Sequence, residues 1–108
     1  MSGSGGGFGG PVGGGAPTVD CNSLAFETHI HSPIAAELVN LTVGMVLNIE
    51  LAIMNGVELV RVTNQDNVVG GLTDQRIRAC LRQEFRFIAH VREIDGALVK
   101  IFVEALGR

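Results

Sequence analysis

The sequence predicts a mainly β protein: a small, six-stranded, mostly antiparallel barrel with one α-helix between strands 4 and 5 and a short helix after strand 1. Three observations predict it. Apolar and polar residues alternate along most of the chain from Leu24 onward, the period-two pattern of half-buried strands. Asn55-Gly56 and Asp95-Gly96 fall between alternating runs, and such dipeptides accept the positive φ of tight hairpin turns. Only one long segment, Asp74 to about Gln83, carries its apolar residues at helical spacing.

Nine of the first fifteen residues are glycine. Such a segment buries too little apolar surface to offset its ordering entropy, so residues 1–20 are expected to be a disordered leader and 21–108 a single barrel domain. Phe8 and Val12 are isolated apolar beads in it, suited either to a spacer or to a tether docking through Phe8. Its glycines do not make a phosphate loop, because no GK[ST] follows.

The first strand spans Leu24 to Ile30. Leu24, Phe26, Thr28 and Ile30 share one face; Ala25, Glu27, His29 and His31 share the other. Ser32-Pro33 ends it, since proline cannot donate to a ladder. Pro33 to Leu41 predicts a short helix, with Ile34, Leu38 and Leu41 on one side. Met45 to Ile53 predicts a strand pointing Met45, Leu47, Ile49, Leu51 and Ile53 inward, and Val57 to Val62 pairs back across Asn55-Gly56. After a turn at Asn64 to Asn67, Val68-Val69 is a short strand that Gly70-Gly71 should break. Thr73 is the expected cap of the main helix, whose apolar stripe is Ile77, Cys80 and Leu81, with Arg76, Arg78 and Arg82 outside.

Two strands follow. Phe85, Phe87, Ala89 and Val91 face in, while Arg86, Ile88, His90 and Arg92 face out. In Ala97 to Ala105, Val99, Ile101 and Val103 face in, and Leu98 and Phe102 on the opposite face suggest a strand covered on both sides.

The formal charge of −3 argues against a polycation that coats nucleic acid. Between Arg61 and Arg92, however, six arginines meet only Asp66, Asp74 and Glu84, so one face is expected to be electropositive. Tyr and Trp, the usual anchors of interfaces and stacking sites, are absent. No run reaches the ~18 apolar residues of a membrane span, and no basic and apolar signal segment precedes the glycines. The expectation is therefore a cytoplasmic protein with free thiols, Cys80 in the core and Cys21 at the domain edge, open to reagents.

Chemistry-bearing patterns are few. His29 and His31 stand about 7 Å apart on one strand face. With Glu27 beside them, and His90 or Cys21 as a third ligand, they suggest a metal site; solvent-facing histidines are the simpler reading, and no metal or cofactor is expected. No serine sits in a strand-to-helix elbow, and neither cysteine has a protease-like context, so the chain is expected not to be an enzyme.

Val68 to Val91 (VVGGLTDQRIRACLRQEFRFIAHV) runs strand, Gly-x-Leu-type turn, helix and a strand ending in Ala-x-Val. It resembles the second half of HIRAN domains, small β-barrel modules that bind DNA ends. Gly71-Leu72 matches the family's Gly-Tyr-Leu-type turn, and Phe87 to Val91 its last-but-one strand. The first half has no counterpart of the family's Arg-Glu-Pro signature; Val60 to Asn64 is the nearest stretch. The resemblance implies a barrel and a nucleic-acid ligand. The tail Leu106-Gly107-Arg108 is similar to that of ubiquitin-like modifiers, where a glycine leaves the last strand, although the order of elements differs from theirs.

The function expected is a non-catalytic binding module that engages single-stranded nucleic acid or nucleic-acid ends through Arg78, Arg82, Arg86 and Arg92, whose guanidinium forks suit phosphate. The alternative is an accessory subunit that contacts a protein partner, one encoded nearby, without nucleic acid.

Overall fold

A computed structural model describes residues 19–108, so the expectation of a disordered leader lies, over residues 1–18, outside the described residues. Val19 packs against the core and Asp20 caps a 3-10 turn at Cys21–Ser23. The strands are β1 (Ala25–His29), β2 (Val46–Met54), β3 (Val57–Asn64), β4 (Asn67–Leu72), β5 (Arg86–Asp95) and β6 (Leu98–Gly107). The helices are α1 (Ala35–Leu38), after β1, and α2 (Gln75–Arg82), between β4 and β5. The order of elements is the expected one.

The strands make one antiparallel sheet, ordered β1-β6-β5-β2-β3-β4. The sheet is not closed, so the expected barrel is corrected to an open, barrel-like sheet with β1 and β4 at its edges. One bridge spans them just past β1. His31 N–H donates to the Gly71 carbonyl at 2.8 Å, Gly71 N–H returns a bond to the His31 carbonyl at 2.9 Å, and Ile34 N–H donates to the Val69 carbonyl at 2.7 Å. The ladder goes no further, because Ser32 has φ 50° and Pro33 has no N–H.

The inward faces meet in one core. Leu47, Val62, Val69, Val99, Ile101 and Val103 are fully buried, together with Ile77 and Cys80 of α2. Gly70 and Gly71 do not break β4 as expected; they let the crossing segment come close. A Cβ on Gly70 would lie 2.4 Å from Ile30 Cγ2 and 2.9 Å from the His31 carbonyl oxygen, so only glycine fits there.

Several expectations shift with the geometry. The short helix is a single turn without a side-chain cap, because four residues leave little helical hydrogen bonding to offset nucleation. Asp74, not Thr73, caps α2, its carboxylate accepting from the N–H groups of Arg76 and Ile77. Asn55 (φ 52°) and Gly56 (φ 78°) both take positive φ, as a type I′ turn requires. In the last hairpin the turn residues are Gly96-Ala97 rather than Asp95-Gly96. Positive φ at Gly96 alone is the type II′ geometry. A bulge between Val91 and Glu93 leaves Arg92 as the extra residue, which returns Ile94 to the core side.

The cysteines bring a larger correction. Cys21 and Cys80 are joined in a disulfide that ties the 3-10 turn to α2, and both are buried. Cys80 is in the core as expected, but Cys21 is neither exposed nor free. The free thiols expected of a cytoplasmic protein are replaced by this disulfide. No helix among the described residues is long and apolar enough to cross a membrane.

Cover also ends earlier than the alternation implies. Leu47 and Ile49 of β2 are buried and Leu51 is half-buried, but Ile53, expected inside, is 73% exposed. Leu98 is exposed as well, and of the described aromatic and cationic groups only the Arg92 guanidinium and the His90 ring meet Phe102, so no described helix or second sheet covers this side of β6.

Candidate binding groove

A groove of about 450 Å³ lies beside the bridged edge. Ile34, Met54, Leu59 and Val68 supply apolar walls, and Gly70 and Gly71 line it between them. Its cations are Arg61 and Arg78, with His31, and no Asp or Glu lines it. Arg61 sits directly opposite Glu50 across β2 and β3, and the two form an ion pair.

The groove continues into the β2–β3 arm, where Met54 and Val57 are exposed on the same face as Leu59, and Ile53 is exposed on the other face. Surface apolar side chains scattered singly are ordinary; a contiguous group beside a groove marks a contact site. Sequence reasoning missed this site. The signal lay in Leu51-Ala52-Ile53-Met54 and Val57 to Val60, which are apolar on both faces of the hairpin where a solvated strand would alternate.

The four arginines expected to contact phosphate are disposed differently from one another. Arg82 is committed to Glu58 of β3, its Nε 2.8 Å and its Nη2 2.5 Å from Oε1. That bond holds the Glu58 carboxyl below its ordinary range. Arg78 is half-buried at the groove, donating from Nη1 to the Gln75 side-chain oxygen at 3.3 Å. Arg86 and Arg92 are exposed on β5, six residues or roughly 20 Å apart along the strand. Arg92 lies over the Phe102 ring at 5.1 Å.

Arginines also cover the other two half-buried phenylalanines. Arg76 lies over Phe26 at 4.6 Å and Arg108 over Phe85 at 4.5 Å, while Phe87 is in the core. With Tyr and Trp absent, base stacking would fall to phenylalanine, and each of these three rings already has a guanidinium group over it.

Gly107 belongs to β6, and Arg108 Nε donates to the Gln83 carbonyl at 3.1 Å, so the end of the chain lies along the domain rather than leaving it. His29 is exposed at the end of β1, and His31 is exposed at the bridge. His90 pairs with Glu104 at 2.5 Å, and Cys21 is in the disulfide. Among the described residues no three His, Cys, Asp or Glu side chains gather to hold a metal ion. The chain matches no protein-family model, no curated protein and no solved structure.

Proposed function

We propose that this chain is a non-catalytic module that binds another protein through the groove and the adjoining β2–β3 arm. The observation that carries the reading is the continuity of the two: exposed Met54 and Val57, opposite each other across the hairpin and on the same face as Leu59, lead into a groove walled by Leu59, Val68 and Ile34. Desolvating such a patch is favourable by about 25 cal/mol per Å² of apolar surface, and no element among the described residues does it. The disulfide supports the non-catalytic part, since it occupies both sulfurs that might act as nucleophiles.

The nucleic-acid reading, with the HIRAN-like segment behind it, draws less support from the geometry. Arg82 is already neutralised by Glu58, Arg78 is half-buried, and Arg86 and Arg92 lie far apart. A phosphate track needs several free cations along one line. A cytoplasmic site of action is not part of the proposal, because the free thiols expected with it are joined in a disulfide.

Site-specific photocrosslinking tests the proposal. With p-benzoylphenylalanine at Leu59 or Val57, the protein in its native cells should form a discrete protein adduct. The same group at Ile88, on the opposite face of the sheet from Phe87, should not. Absence of an adduct, together with binding of a single-stranded oligonucleotide at ~50 mM salt and a log–log salt slope of about −2 to −3, would replace this reading with the nucleic-acid one.

A further inference from the structure

We infer that the groove selects a short apolar peptide segment carrying an acidic side chain, and that Arg78 is the residue that reads the acid. The inference rests on the protein-binding reading and specifies its ligand. It begins from the pairing of the arginines. Among the described residues, Arg76 pairs with Asp74, Arg82 with Glu58 and Arg61 with Glu50. Arg78 is the α2 arginine left without a carboxylate within ion-pair distance. Its Nη1 has only the amide oxygen of Gln75, and its Nε is buried with no acceptor. Glu58 stands near enough to feel its charge, but that carboxylate is taken up by Arg82.

A guanidinium that is partly desolvated and incompletely bonded is an unsatisfied donor set, and a charged acceptor satisfies it better than water at an apolar surface. The groove brings that donor set next to Leu59, Val68 and Ile34 with no acidic residue lining the space. Charge complementarity therefore selects an anionic occupant, and the walls select apolar neighbours for the anion. One unpaired guanidinium suits a single carboxylate better than a polyanion, which needs a row of cations. The apolar arm extends the contact beyond the groove, which suits a polypeptide better than a small amphiphile.

Selection from a phage-displayed library of random linear heptapeptides against the full chain tests both levels of the reading. The expected outcome is enrichment of Leu, Ile, Val or Phe around an Asp or Glu. An enriched peptide should bind about tenfold more tightly than its Asp→Asn or Glu→Gln counterpart, measured by calorimetry. Arg78→Met should bring that ratio close to one while apolar binding persists, and Arg78→Lys should keep part of the preference. Circular dichroism melts of both variants verify the fold. Equal affinity of acidic and amide peptides for the native chain, or an acid preference that survives in both variants, overturns the role of Arg78 and leaves the protein-binding reading standing. Absence of any enriched peptide that Leu59→Glu releases removes the groove reading as well.

Discussion

The two halves of β2 carry one pattern and meet two fates. Leu47 and Ile49 point inward and are buried beneath β3, β5 and α2, while Ile53, in phase with them, is 73% exposed. The difference is length of cover. β2 pairs with β5 only from Val46 to Ile49, but with β3 as far as Met54, so the hairpin outruns its neighbour and emerges as a two-stranded arm. An isolated two-stranded ribbon is at best marginal in water, yet this one is anchored to a covered root. Alternation states which face a side chain takes. Whether anything lies over that face depends on strands far away in sequence.

The comparison can be broken from the covered side first. The disulfide holds the 3-10 turn to α2 across a separation of 59 residues. Closing a loop of that length removes denatured-state entropy worth about 4 kcal/mol in the chain-entropy account. The Cys21→Ala/Cys80→Ala pair should lose most of that in chemical denaturation while the arm still binds its ligand. A loss below about 1 kcal/mol would mean that the turn is held by packing alone.

Leu47→Ala comes next, with an expected cost of about 3 kcal/mol, because the cavity opens in fully enclosed core. Gly70→Ala should cost about 2 kcal/mol through the clash with Ile30, a site where the added methyl has no room to settle. Substitution of Gly56, whose turn is open to solvent, should cost only the backbone strain of an L-residue at φ 78°, about 1 kcal/mol for alanine.

Asp74→Ala should also cost about 1 kcal/mol at neutral pH, as the loss of a helix cap does. The Arg76 guanidinium first, and the N–H groups of Arg76 and Ile77 after it, hold the Asp74 carboxyl below its ordinary range against the opposing effect of burial. Its folded value is thus depressed, so the stabilisation is complete above the unfolded value near 3.8 and is lost as pH falls through the folded one. The difference between native and Asp74→Ala melts should shrink below about pH 4, whereas Asp74→Asn, a cap without a charge, should show less of this pH dependence.

The smallest stability effect should fall on the arm. Ile53→Ala is expected to change stability by less than about 0.5 kcal/mol, against about 3 for Leu47→Ala in the same strand and phase. A cost for Ile53→Ala comparable with that of Leu47→Ala would mean that the arm is covered in solution.

The sequence by itself determined the elements, their order and much of the inward face. Period-two alternation marked Phe87, Ala89 and Val91, and Val99, Ile101 and Val103, as core positions. Asn55-Gly56 located the tip of the β2–β3 arm, because local φ preferences are carried by the residues themselves. Tertiary structure alone decided the rest. The sheet stays open because β1 is short and Pro33 stops the only ladder that could close it. Cys21 reaches Cys80 because the chain before β1 passes beneath α2, a contact no local pattern records. Gly70, which with Gly71 looked like a break in a strand, leaves space for a crossing segment about 40 residues earlier in the chain. Both glycines line the groove at which Arg78 stands, apart from the three arginines whose charges the fold has already paired.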